Sequence, residues 1–273
     1  MKDKYKAVWL SHSSINDFLE CPRSYYLKNV YKDKRTGNKI GIVSPALSLG
    51  QAVHEVLESL STIPTHKRFD IPLIEYFDKA WEKVSGKRGG FTSNEVEQEY
   101  KQRGIDMINR VRKNPGPLKN KAVKIQEDLP YFWLSEDDNL ILCGKIDWLE
   151  YLEESNSVNI IDFKTSKEAS EDPDSLQLPI YHLLAKNTQK WNVLKASYWY
   201  LNIDDAPIEK ELPDYDSSYQ KILSIGKKIK IARQLESFNC PNGEEGCKAC
   251  KQYEKILKGE AELVYSADRR DLY

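Results

Sequence analysis

Hydrophobic positions in this chain follow two periods, and the changes of period mark its elements. The helical period comes first. Over 10–31, LSHSSINDFLECPRSYYLKNVY, residues Ile15, Phe18 and Leu19 fall on one side. Ser14 reads as the N-cap with Asp17 three residues on, and Pro22 interrupts the helix after Cys21. Residues 32–43 are polar and basic and read as a loop. At SPALSLGQAVHEVLESLST, Ser44 caps, Pro45 takes the first helical position, and Leu49, Val53, Val56, Leu57 and Leu60 repeat at helical spacing. Two further helices are predicted over 71–84 and 95–112, separated by Gly86, Gly89 and Gly90. Pro115–Gly116–Pro117 ends this helical part, and strand-like sequence follows over 119–134.

The period then shortens to two. Strands are predicted over 140–152 and 158–164, joined by the polar turn 153–157, so the pair reads as a hairpin. A polar loop over 167–177 follows. Asp172 and Pro173 read as the start of a helix that runs to Ala185 and kinks at Pro179. A strand over 195–201 and a lysine-rich helix over 219–236 precede a cysteine-rich tail.

Composition narrows the class. The chain has 273 residues, is 40% hydrophobic and carries a net charge of −1, enough for a sizeable core and without a global basic signature. A nucleic-acid surface would be a local patch, and Lys87, Arg88, Arg103, Arg110, Arg112 and Lys113 make the middle region locally basic; a solvated helix face is the plainer reading. No apolar run is long enough for a membrane span, and the first ten residues lack the apolar core of a signal peptide, so the expected compartment is the cytoplasm. Five cysteines, an odd number, favour metal binding or free thiols over a disulfide framework.

Candidate chemistry sits on the hairpin. Asp162 and Lys164 share one strand face, with Ile161 and Phe163 on the other, and a hairpin can bring Asp147 beside them. Two neighbouring carboxylates repel unless a cation or a proton lies between them, and hard oxygen ligands suit Mg²⁺ or Mn²⁺. An exposed cross-strand salt bridge uses the same residues. His54 borders the apolar face of its helix, as a boundary histidine or as a third ligand. Gln177 and Tyr181, four apart, share a helix face. In the tail, Cys240, Cys247 and Cys250 form C-x6-C-x2-C, a spacing that presents thiolates to a metal. Cys143 belongs to an apolar strand, whereas Cys21 lies at a helix break, so Cys21 is the expected fourth thiolate.

Five pieces in order, the LSHSS…CPRSYY opening, GQAVHEVLE, GKIDWLE, IIDFKTSK and QLPIY, resemble the RecB/AddB-type branch of the PD-(D/E)XK nuclease superfamily, which includes CRISPR-associated adaptation nucleases and stand-alone exonucleases. The resemblance implies one α/β nuclease domain over 1–273: a mainly helical part over 1–130, a restriction-endonuclease-like core with a mixed central sheet over 131–205, and a C-terminal helix and cysteine motif over 206–273 packed back on the N-terminal region. It implies a DNA-cleaving hydrolase, an exonuclease of repair, recombination or adaptation; a non-cleaving DNA-clamping scaffold is the competing reading. His54, Asp147, Asp162 and the Phe163 carbonyl would hold the metal, Lys164 would act beside it, and Gln177 and Tyr181 would support the site and contact DNA. Cys21, Cys240, Cys247 and Cys250 would hold a 4Fe–4S cluster, although here the C-x2-C pair comes last rather than before the final cysteine. A four-thiolate zinc site would use the same ligands. Helicase motifs are absent from the sequence, so any motor partner would be a separate chain.

Overall fold

The computed structural model describes residues 3–125, 127–169 and 172–273. Gln126, within the strand expected over 119–134, and Ser170 and Glu171, within the expected polar loop, lie outside the described residues. In chain order the helices are α1 (His12–Glu20), α2 (Pro22–Tyr25), α3 (Pro45–Ser59), α4 (Leu73–Glu82), α5 (Asn94–Lys113), α6 (Gln177–Thr188), α7 (Tyr215–Gln234) and α8 (Lys248–Leu257). The strands are β1 (Val8–Leu10), β2 (Lys39–Gly41), β3 (Tyr131–Ser135), β4 (Leu140–Cys143), β5 (Trp148–Leu152), β6 (Ser157–Lys164), β7 (Asn192–Tyr200), β8 (Ile208–Lys210), β9 (Tyr265–Ala267) and β10 (Arg270–Leu272). The mixed α/β class expected from the sequence is the one observed.

The chain divides into two compact units. The first comprises Met1–Val43, Phe132–Cys143 and Asp216–Tyr273. One sheet has the order β1-β4-β3, with β1 parallel to β4. Helix α7 lies close against it: a Cβ at Gly226 would sit 2.6 Å from Leu10 Cδ1, so only glycine allows this approach. The second sheet has the order β2-β10-β9 and ties the tail to the N-terminal segment, with β10 parallel to β2. Asp271, buried at that junction, accepts hydrogen bonds from Thr36, Asn38 and Ser266.

The second unit comprises Ser44–Tyr131 and Gly144–Tyr215. Its sheet has the order β5-β6-β7-β8, antiparallel between β5 and β6, parallel between β6 and β7, antiparallel again to β8. Ile161 and Phe163 of β6, with Trp148 and Trp199, join one apolar cluster with Val53, Val56 and Leu57 of α3, Phe77 and Trp81 of α4 and Met107, Ile108 and Val111 of α5. Helices α4 and α5 touch closely at Gly104, where a Cβ would meet Phe77 Cζ at 2.2 Å. Ser44 caps α3 with Pro45 in its first turn, as the sequence predicts.

Several boundaries differ from expectation. The strand expected over 140–152 is two strands. β4 pairs with β1 and β5 pairs with β6, in different sheets, and Asp147 lies in the coil between them. A continuous apolar run looks the same whether one sheet or two bury it. Over 119–134 the regular strand begins only at Tyr131; among the described residues upstream there is one bridge, Ala122 to Glu150. The cap of α1 is Ser11, which exchanges hydrogen bonds with Ser14 in a capping box. The helix expected from Asp172 begins at Gln177 instead. Pro179 then falls in the first turn, where a missing N–H costs no intrahelical bond, so no kink is required.

Candidate metal centres

Strand alternation places the first group. Ile161 and Phe163 point into the core, so Asp162 and Lys164 project from the opposite face of β6, Asp162 being only 2% exposed. Asp147, just before β5, is held from two sides. Its Oδ2 accepts the backbone N–H of Phe163 at 2.8 Å, and its Oδ1 lies 3.3 Å from His54 Nδ1. His54 follows the core residue Val53 on α3 and sets its ring edge-on to Phe163, with centroids 6.0 Å apart. One turn further along α3, Glu58 Oε1 lies 4.0 Å from His54 Nδ1, and its other oxygen pairs with Lys145.

A second set of contacts surrounds Asp162. Gln177 Nε2 donates to Asp162 Oδ1 at 2.7 Å and lies 3.3 Å from the Tyr181 hydroxyl. Lys164 Nζ is 2.7 Å from Asp162 Oδ2 and also donates to Gln177 Oε1. Gln177 therefore bears directly on the β6 acid and lysine, Tyr181 reaches them through Gln177, and the two sit one helical turn apart on α6 as their spacing predicts.

The electrostatics follow from this enclosure. Burial and the neighbouring Asp147 charge push the Asp162 carboxyl up to about 7, against the pull of Lys164 and His54. Burial alone would draw His54 down, but Asp147, Asp162 and Glu58 outweigh it and hold the imidazolium above its ordinary range. Burial and the same two aspartates raise the Tyr181 phenol well above its usual value. Two carboxylates, Asp162 buried and Asp147 half-buried, beside an imidazole make a donor set that a hard divalent cation would neutralise. Among the described residues, ligand atoms of His54, Glu58 and Asp147 lie within 4.8 Å of one another. Asp162 is outside that group; its oxygens are engaged by Gln177 and Lys164. Glu58 was not foreseen as a candidate, although its position four residues after His54 puts it on the same helix face.

The locally basic middle segment is partly committed elsewhere in the second unit. Arg103 donates to the Thr165 carbonyl at 3.2 Å, just past β6, and Arg110 pairs with Asp205 at 2.8 Å.

The second centre lies within the first unit. Sulfurs of Cys21, Cys240, Cys247 and Cys250 all lie within 4.8 Å of one another, the set expected from the sequence. Cys143 is not among them; it is buried in β4, and burial pushes its thiol up to about 11. Pro22 starts α2 directly after Cys21, and Cys247 is the N-cap of α8, so two helix starts present two of the thiols. Burial pushes Cys21 up to about 12; Cys247, despite its own desolvation, is drawn to about 7 by the backbone N–H groups of Cys250 and Ala249.

No helix among the described residues is long and apolar enough to cross a membrane. No curated protein matches the chain. A family model does: that of the PD-(D/E)XK nuclease superfamily, over residues 9–254.

Proposed function

Because this chain belongs to the PD-(D/E)XK nuclease superfamily, we propose that it is a Mg²⁺- or Mn²⁺-dependent deoxyribonuclease of the RecB/AddB type, working as an exonuclease in DNA repair, recombination or adaptation. His54, Asp147, Asp162 and the Phe163 carbonyl are the ligands in this reading, with Glu58 beside them. The observation that carries it is the double anchoring of Asp147, whose two oxygens meet His54 and the Phe163 N–H at 3.3 and 2.8 Å. A histidine 93 positions upstream in the sequence is thereby brought to the acid of the β5–β6 pair.

When bound, a divalent ion would lower the pKa of a water and polarise the scissile phosphate. The chain's own residues do the rest. Asp147 holds His54 in place through its Nδ1. Lys164 keeps a positive charge at the Asp162 carboxylate, where it can orient a nucleophilic water and offset charge that develops on the phosphate. Gln177 bridges Asp162, Lys164 and Tyr181, fixing the rotamers of all three.

The test is cleavage of end-labelled and internally labelled DNA, single-stranded and duplex, with Mg²⁺, Mn²⁺ or excess EDTA. Stepwise loss from an end, abolished by EDTA, is expected. Tight DNA binding without cleavage under any metal would favour the clamping scaffold instead, and cleavage undiminished by EDTA would contradict the metal-dependent reading.

A further inference from the structure

We propose that Cys21, Cys240, Cys247 and Cys250 hold one tetrahedral zinc ion rather than the four-iron cluster that the family resemblance implies. The sulfur spacing carries this. Cys250 Sγ lies 3.7 Å from Cys240 Sγ and 3.8 Å from Cys247 Sγ, and all four sulfurs lie within 4.8 Å of one another. Thiolates bound at about 2.3 Å to a single tetrahedral ion stand about 3.8 Å apart, by geometry alone. A cubane cluster instead places one iron behind each thiolate, with sulfides between the irons, and so holds the four sulfurs wider apart than these are.

The surroundings keep the four close. Cys21 and Cys250 are both fully buried and pack with Leu27, Tyr26 and Tyr253. Gly246 has φ +73°, and a Cβ there would approach Cys250 Sγ to 3.2 Å, so the turn before the C-x2-C pair leaves no slack on that side. Backbone N–H groups already point at the sulfurs: Cys247 N donates to Cys250 Sγ at 3.3 Å, and Ser24 N to Cys21 Sγ at 3.4 Å. Such bonds orient thiolates on a metal. Around them, Arg23 Nε meets Glu254 at 2.5 Å and Ser24 Oγ donates to the Ala249 carbonyl at 3.2 Å, so α2 and α8 are joined beside the cysteines. The zinc ion is therefore a clamp within the first unit, fastening the segment after residue 21 to the tail. Its d¹⁰ configuration gives it no redox role.

The full chain, purified anaerobically from cells supplied with both iron and zinc, is assayed for zinc, iron and acid-labile sulfide. The expected result is one zinc per chain, without iron, sulfide or the broad visible absorption of a cluster. Zinc is expected to be lost in Cys240→Ser and kept in His54→Ala, which separates this site from the His54–Asp147 group. Replacement of the ion by Co²⁺ in the unmodified chain is expected to give the intense tetrahedral and thiolate-to-cobalt bands; this readout stands even if Cys240→Ser fails to fold. Chelation is expected to lower the melting temperature. Four irons with sulfide per chain, cysteines without metal, zinc retained in Cys240→Ser, or a weak octahedral cobalt spectrum would each overturn the proposal.

Discussion

Asp147 Oδ2 accepts the backbone N–H of Phe163 at 2.8 Å, tying the coil before β5 to the inner end of β6. An amide oxygen can accept the same bond but carries no charge. Asp147→Asn is therefore expected to keep the fold, with a melting temperature close to that of the parent. Cleavage should fall at least ~10²-fold, the scale of losing one electrostatic stabiliser. Thermal melts and initial rates, measured on the same preparation, check both halves.

Asp162 gives a pH signature in the metal-free protein. Its carboxyl is pushed up to about 7 in the fold, against 3.8 ordinarily. The unfolded chain releases that proton first as the pH rises, so the fold loses stability between about pH 4 and pH 7, by an amount on the order of a few kcal/mol. His54, also raised, adds stability at low pH that is lost as the pH passes its folded value, so both trends run the same way. Urea titrations in EDTA across this range should show the decline. Asp162→Asn should flatten most of it, and Mg²⁺ or Mn²⁺ should restore stability to the parent at pH 7. A parent that grows more stable over the same interval would contradict the assignment.

Glu58 and Asp162 are the two further carboxylates beside His54 and Asp147, and they have different weights in the proposed reading. Glu58 shares the group of ligand atoms with His54 and Asp147, whereas Asp162 is held by Gln177 and Lys164. Glu58→Gln is expected to raise the Mn²⁺ concentration for half-maximal cleavage about tenfold, with the rate recovering at saturating metal, because one ligand charge is lost while the lysine side of the site is untouched. Asp162→Asn should not recover. Cleavage rates across a Mn²⁺ titration separate the two behaviours.

A structural control comes from Arg68, which is 3% exposed. It donates to the carbonyls of Ile63, Leu118 and Asn120 at 3.0, 2.7 and 2.6 Å and lies over the Trp148 ring at 5.1 Å. Arg68→Ala strands those carbonyls and removes packing from Trp148, so it should cost about 2–4 kcal/mol. Denaturant unfolding measures this loss, and the metal concentration for half-maximal cleavage should stay unchanged in the folded fraction.

Much of this was legible in the residues. Helices α3 and α5 appear within a residue or two of where periodicity and caps place them, since their apolar faces are long and regular. Cys21 was separable from Cys143 because a proline follows one and apolar strand residues surround the other. The division at Gly144–Asp147 was not legible, because burial in two sheets leaves the same run of Ile, Leu and Trp as burial in one. The pairing of β2, β9 and β10 was hidden for a different reason. Each is three residues long, and β2 finds its partner β10 more than 200 positions away in sequence. Glu58 was visible as an i+4 neighbour of His54, but surface helices carry many such glutamates, and only the third dimension distinguishes this one.

The central claim is that Lys164, at Asp162, serves phosphodiester cleavage and not merely the fold. Single-turnover cleavage of labelled DNA by Lys164→Met at saturating Mn²⁺ tests it most directly. The account predicts a rate at least ~10²-fold below the parent with melting temperature and metal affinity preserved; metal-dependent cleavage at the parental rate would contradict it.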